Sequence, residues 1–156
     1  MKIISEEKAR ETSAKEKFQN KKIVLAGGVF DILHPGHIHF LKESKKLGGL
    51  LFILLESDEK VKKMKGSNRP INTQKVRASI LATLPFVDYV INLKGVTNNS
   101  KYDKLIVQIK PDVIVLTKGD PGTDLRRKQS KMIGAILEEV DKVATASTTE
   151  LIKNNG

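Results

Sequence analysis

The sequence predicts an α/β fold built on a doubly wound sheet of about five parallel strands, and three observations carry that prediction. Apolar runs without polar alternation recur at Lys22–Ala26, Leu50–Leu55 and Val113–Thr117, as strands covered on both faces require. Segments with apolar residues three and four apart lie between them, the spacing of half-buried helices. Strand and helix alternate at short spacing, which calls for right-handed crossovers between parallel strands and places ligands beyond the strands' carboxyl ends.

Taken in order, Ser5 with Glu6 and Glu7 opens an Ala- and Lys-rich helix to about Phe18, the pattern of a capped helix start. Lys22–Ala26 is the first strand and runs into Gly27 and Gly28. The next helix begins at Pro35, whose fixed φ and missing N–H suit a first turn. It buries Ile38, Leu41 and Leu47 and stops at Gly48-Gly49, where glycine tolerates the terminating conformation. Leu50–Leu55 is the second strand. Residues 56–72 are polar and basic with Gly and Pro, and read as an ordered functional loop. A helix over Thr73–Leu84 turns Val76, Ile80, Leu81 and Leu84 inward. Val87–Leu93 is the third strand, Tyr102–Lys110 a helix and Val113–Thr117 the fourth strand. A basic helix holding Arg126 and Arg127 runs to about Leu137. A weak fifth strand over Lys142–Thr145 precedes Ser147-Thr148-Thr149, which caps a short last helix. No internal repeat or domain boundary is visible, so one domain over residues 1–156 is expected, with 1–20 as a helical extension.

A chain of 156 residues buries roughly two-thirds of its unfolded surface without a staple. It has no cysteine, which excludes disulfides, thiolate metal sites and thiol redox chemistry. The first twenty residues are charged and no run of eighteen apolar residues occurs, so a soluble cytoplasmic protein with no membrane partner is expected. Lys and Arg number 28 against 18 Asp and Glu, a formal net charge of +10. Such an excess suits phosphorylated small molecules or a polyanion. Five Phe, two Tyr and no Trp leave little for base stacking, which disfavours nucleic acid.

The chemistry centres on His34-Pro-Gly-His37, between a strand and a helix. The stretch has neither the Gly-x-Gly-x-x-Gly of dinucleotide folds nor the Gly-Lys-Ser/Thr of P-loops. His34 falls near the N-cap and His37 three residues on. Both imidazoles then share a helical face at the end where open N–H groups and the dipole favour anions. That is a phosphate seat. Direct metal ligation by the pair is disfavoured, because no Cys and no paired Glu complete a site. His39, two positions past His37, lies on another face.

Gly28-Val-Phe-Asp-Ile-Leu-His-Pro-Gly-His37 resembles the signature of the cytidylyltransferase-like nucleotidyltransferase superfamily. Lys65-Gly-Ser-Asn-Arg-Pro-Ile-Asn72, Arg77, Leu81–Val90, Pro111-Asp112, Lys118-Gly-Asp120 and Ser147-Thr-Thr-Glu-Leu-Ile152 are similar, in order, to the bacterial heptose 1-phosphate adenylyltransferase branch. The resemblance implies a Rossmann-like sheet of the HxGH nucleotidyltransferase type. It also implies a reaction: AMP passes from ATP, accompanied by Mg²⁺, to a sugar phosphate, and pyrophosphate leaves. The alternatives are cytidylyl transfer from CTP to a polyol phosphate of the glycerol 3-phosphate type, adenylyl transfer of the FAD synthetase type, and a nucleotide- or nucleic-acid-binding module without catalysis. On this resemblance His34, His37 and Lys65 are the catalytic residues. Gly28, Val29, Phe30, Gly36, Arg77, Lys118, Asp120, Ser147 and Thr148 bind nucleotide or phosphate, and Asp31 orients a site group or helps to hold Mg²⁺. Homo-oligomers are usual in the family. The sequence departs from the branch at Gly27, where Asn is usual, and at Pro121, where an aromatic residue often follows; both positions bear on base and acceptor choice.

Overall fold

The computed structural model of the chain describes residues 1–143. Its elements run β1 (Ile3–Ser5), α1 (Glu6–Phe18), β2 (Ile23–Gly28), α2 (Pro35–Lys45), β3 (Leu50–Leu55), α3 (Asp58–Lys65), α4 (Gln74–Ala82), β4 (Tyr89–Asn92), α5 (Asn99–Ile109), β5 (Val113–Thr117), α6 (Thr123–Ile133) and β6 (Ile136–Val140). Six strands form one sheet in the order β1-β4-β3-β2-β5-β6, and every pairing is parallel. None of the described helices is long and apolar enough to cross a membrane.

Strand alternation divides the core in two. Val24 and Ala26 of β2 join Leu51, Ile53 and Leu55 of β3 under Leu41 of α2 and Ala78 and Leu81 of α4. Ile23 and Leu25 face the other way, with Phe52, Leu54 and Ile91, under Ala9 of α1 and Leu105, Ile106 and Ile109 of α5. Each central strand is therefore apolar on both faces, which is why the runs at β2, β3 and β5 show no polar alternation.

The fold departs from the sequence expectation in four places. β1 is a sixth strand; it adds three residues to the sheet edge, Ile3 opposite Val90, and is too short to show a period. Residues 58–65 of the basic stretch are helical, with Ser57 as N-cap accepting from Lys60 N. Helix α4 buries Arg77, Ala78 and Leu81, whereas Val76 and Ile80 are 44% and 38% exposed. Finally, α6 ends at Gly134, whose φ of 69° stops the helix. The last described strand is then 136–140, and Lys142 and Val143 are in no strand, while the rest of the expected strand over 142–145 lies outside the described residues; the strand over 136–140 sits at the sheet edge and carries exposed Glu138 and Glu139, charges that suit an edge. Ser5 does cap α1 through its side chain, accepting from Lys8 N.

Candidate active site

From β2 the chain goes to β3 and β4 on one side and returns to β5 on the other. The order reverses at β2 and β5, and their carboxyl ends open a crevice at the switch point. A cavity of about 370 Å³ lies there, lined by Gly27 and Gly28 from β2, Leu116 and Thr117 from β5, the first turn of α2, and Lys65 at the end of α3. Its volume is that of a small-ligand site.

Between β2 and α2 the chain turns through Phe30, held at a φ of 49°. The Phe30 ring is buried and meets the His37 imidazole edge-on at 5.3 Å. Gly28 makes room for it: a Cβ at 28 would lie 2.8 Å from Phe30 Cε2, closer than packed carbons come.

His34 is the N-cap of α2 and Pro35 its first residue. The rings of His34 and His37 stack with centroids 3.8 Å apart. Gly36 N–H donates to His34 Nδ1 at 3.1 Å and His34 N–H to His37 Nδ1 at 3.4 Å. The sequence led us to expect these amides beside the imidazoles as anion donors; instead the imidazoles take them up. Both Nδ1 atoms thus serve as acceptors within the cap itself. Burial, then the neighbouring His34 and Lys65, push the His37 pKa down from 6.5 to about 4, against a backbone hydrogen bond with Ile32. Desolvation and the Arg69 guanidinium also draw the Lys65 ammonium below its ordinary value, with Asp31 opposing.

Asp31 and Arg77 hold the walls. Asp31 is 2% exposed; Oδ1 accepts from Asn72 N–H and Oδ2 from Ile71 N–H, each at 2.8 Å, while Arg69 Nε donates to Oδ2 at 3.1 Å. Burial alone would raise its pKa, but these donors hold the carboxyl below the ordinary range. Both oxygens are thus engaged in fastening residues 69–72 over the cavity, which makes Asp31 a loop anchor. Arg77 is fully buried. Its guanidinium donates to Asn72 O at 3.0 Å, Val29 O at 2.8 Å, Glu56 O at 2.9 Å and Asp58 Oδ1 at 2.8 Å.

The structure brings His34, His37, Lys65, Gly28, Val29, Phe30, Asp31, Gly36 and Asp120 together around the cavity. Arg77 is the clear correction. It does not line the cavity, because all its donors face inward to carbonyls and to Asp58. Lys118 is exposed and also stands off the lining. Ser147 and Thr148 lie outside the described residues. Arg69, Thr117, Phe40 and Lys142 line the cavity without having been singled out in the sequence. The switch-point rule alone points to Thr117, the last residue of β5. Arg69 sits inside the Lys65–Asn72 stretch.

The cytidylyltransferase-like family matches residues 25–154. The chain is 43% identical over 137 residues to the bifunctional protein HldE of Campylobacter concisus, which covers 85% of this chain and 27% of that protein. To the bifunctional protein HldE of Aliarcobacter butzleri it is 39% identical over 149 residues, 96% of this chain and 30% of the relative. It thus spans under a third of the length of these relatives. Among solved structures, the lipopolysaccharide core biosynthesis protein from Thermoplasma volcanium GSS1 superposes with a TM-score of 0.63 at 33% identity, over 81% of this chain and 99% of that one. Pantoate-beta-alanine ligase from Francisella tularensis superposes with a TM-score of 0.71 at 16% identity, over 99% of this chain and 77% of that one, a likeness of fold alone.

Proposed function

The chain belongs to the cytidylyltransferase-like family, and on that premise we propose that it is a nucleotidyltransferase that moves AMP from ATP to a sugar phosphate of the heptose 1-phosphate class and releases pyrophosphate. The stacked His34–His37 pair at the start of α2 carries this reading. Two stacked imidazoles at the positive end of a helix, with the Lys65 ammonium on the same cavity, suit triphosphate oxygens.

In the reaction so read, a phosphate oxygen of the acceptor attacks the α-phosphorus of ATP. A P–O bond forms there while the bond to the bridging oxygen breaks, and its electron pair leaves with pyrophosphate. The attacking oxygen is already anionic, so no general base is required. Charge grows on the α-phosphate oxygens and the leaving group, and fixed donors that meet it without reorganising supply the acceleration. Burial, with His34 and Lys65 beside it, pushes the His37 pKa down to about 4, so the imidazole enters the reaction as a neutral group at pH 7.

Mg²⁺ enters with the triphosphate, as part of the substrate. Among the described residues no three His, Asp or Glu side chains converge on a metal site, and Asp31 is engaged by its loop. No step is assigned to a resident metal.

The test is pyrophosphate release from ATP and from CTP with heptose 1-phosphate, glycerol 3-phosphate and flavin mononucleotide as acceptors. Release from ATP with the heptose phosphate is expected. Preference for CTP with glycerol 3-phosphate would move the chain to the cytidylyl branch, and no release with any acceptor would overturn the enzyme reading.

A further inference from the structure

Across the strand ends from the histidines lies a second polar cluster with no part in the scheme above. Glu56 follows β3 directly, its N–H donating to Gly28 O at 3.1 Å and its carbonyl accepting from Arg77. Its side chain reaches Tyr102 of α5, on the sheet face opposite α2, where Oε1 accepts from the Tyr102 hydroxyl. Glu56 is 6% exposed, yet Oε2 has no hydrogen-bond partner among the described residues. Two cations frame the pair: the Arg126 guanidinium lies over the Tyr102 ring at 4.8 Å and Lys60 Nζ stands 5.9 Å from it. Lys60 also donates to Thr97 O at 2.8 Å, and the Thr97 hydroxyl, 1% exposed, is a second buried polar atom without a partner.

Such groups are costly to leave unmade: a buried acceptor without a donor forfeits the hydrogen bonds it made to water, and the cost is greater when it is a charged carboxylate. Two such atoms in one polar cluster with two cations, at the carboxyl end of a parallel sheet, suit a polar ligand. Gly27 lies between the histidine cavity and Arg126, one member of this cluster. It is exposed, lines that cavity and also lines the small void beside Arg126. A Cβ at 27 would point toward Leu54, 3.5 Å from its carbonyl oxygen and 3.7 Å from its Cβ, that is, onto the Tyr102 face.

We propose that Glu56, Tyr102, Lys60 and Arg126 form the subsite for the hydroxyl-bearing end of the acceptor, reached past Gly27 from the histidine cavity. This deepens the nucleotidyl-transfer reading and rests on it. A polyol offers a donor and an acceptor at each carbon, the mixture this lining requires: Glu56 Oε2 takes a hydroxyl proton while Lys60 and Arg126 donate to hydroxyl oxygens. The carboxylate rejects a phosphate at this end and so sets the acceptor's direction, with its phosphate toward His34, His37 and Lys65. Burial holds the Glu56 carboxyl above its ordinary range, against the Tyr102 hydrogen bond, so donors from a ligand relieve a group that lacks them. The void beside Arg126 has room for about one water (about 20 Å³). Entry of a sugar therefore moves the Lys60 and Arg126 side chains and the 93–98 loop, which is fastened by the Ser57 hydroxyl to Gly95 O at 2.5 Å.

The experiment compares wild type with Glu56→Gln, Tyr102→Phe and Gly27→Val. It measures KM for heptose 1-phosphate, the Kd for that sugar phosphate by ligand-observed NMR, and the Kd for ATP by calorimetry. Loss of a charge-assisted hydrogen bond predicts at least about tenfold weaker acceptor binding in Glu56→Gln. A weakening of similar size is expected in Gly27→Val, which fills the passage, and a smaller one in Tyr102→Phe, with the ATP Kd within about twofold in the Glu56 and Tyr102 variants. Acceptor constants within about twofold of wild type in the Gln and Val variants would overturn the subsite, as would equal weakening of ATP and acceptor in Glu56→Gln. Should wild type turn over no acceptor, the enzyme reading fails by itself. The NMR measurement still decides the subsite: sugar-phosphate binding lost in the variants supports it, and absence of binding to wild type refutes it.

Discussion

Replacing Arg77 with leucine separates a structural arginine from a phosphate ligand. Arg77 is fully buried and its guanidinium holds the carbonyls of Val29, Glu56 and Asn72 together with the Asp58 carboxylate. Leucine leaves those carbonyls without their donor, at about 1–3 kcal/mol for each that water cannot reach. Breaking a buried pair costs about 3–5 kcal/mol, but the Asp58 side chain is 38% exposed and solvent screens its share. A net loss of about 3–5 kcal/mol follows, a large part of a typical domain's stability of about 5–15 kcal/mol. At a urea dependence of about 2 kcal/mol per molar, the midpoint falls by about 2 M. Urea unfolding followed by far-UV circular dichroism reads this, with ATP calorimetry at low temperature on the folded fraction. Lysine at 77 keeps a charge near Asp58 but cannot fork to three carbonyls, so its loss is intermediate. An Arg77→Leu protein with the wild-type midpoint and no ATP binding would put the guanidinium on phosphate and refute this reasoning.

His37→Ala should lower kcat by at least about 10²-fold with the urea midpoint little changed; near-normal turnover would remove the imidazole from the reaction. Gly28→Ala drives a methyl into the Phe30 ring, which packs on His37, and should cost at least about tenfold in kcat through misplacement of the imidazole. Adding Phe30→Leu should return part of that loss, whereas strictly additive losses in the cycle would disprove the clash. His37 titrates at about 4 when folded against an ordinary 6.5, so between these values the unfolded chain binds a proton that the folded one refuses. Stability should therefore fall as the pH drops from about 6.5 to about 4, by at most about 1.4 kcal/mol per pH unit from this group. The urea midpoint of wild type relative to His37→Asn over that window checks the sign. Raising the salt from about 0.05 to 0.5 M should slow ATP association several-fold by screening the field of the chain and leave dissociation within about twofold. A parallel rise in the dissociation rate, in stopped-flow traces, would contradict donor-based holding.

The strand, turn and helix start at the candidate site were legible because they are local. Strand, glycine turn, proline and two histidines lie within Lys22–His37, and the cap geometry follows from spacing alone. The four long sheet strands between residues 23 and 117 were legible as well, since burial on both faces leaves a run that no helix of that length imitates. Arg77 was misassigned because a guanidinium carries the same pattern whether it meets phosphate or carbonyl. Only its position on the inward face of α4 separates the two, and that face was misread through exposed Val76 and Ile80. Helix α3 was hidden by its composition: seven of its eight residues are charged or Met, and only Val61 is buried. The Glu56 cluster gave no signal at all, since its four members come from separate elements and meet only once the sheet is wound.

The net charge of +10 suggests a cavity that attracts phosphate by excess positive charge, but the lining says otherwise. Among the described residues Lys65, Arg69 and Lys142 face Asp31, Asp120 and Asp141, three charges against three, with His37 neutral at pH 7. The surplus charge lies elsewhere and acts at long range, as a field that raises the encounter rate with an anion and fades with salt. On the proposed reading, the stacked imidazoles at the start of α2 then hold the seated triphosphate, over distances that salt does not screen. A near-neutral cavity also suits the chemistry, because a strongly cationic one would grip pyrophosphate as firmly as ATP and slow its departure. Donors that bind the transition state better than the product serve turnover, and net charge cannot make that distinction.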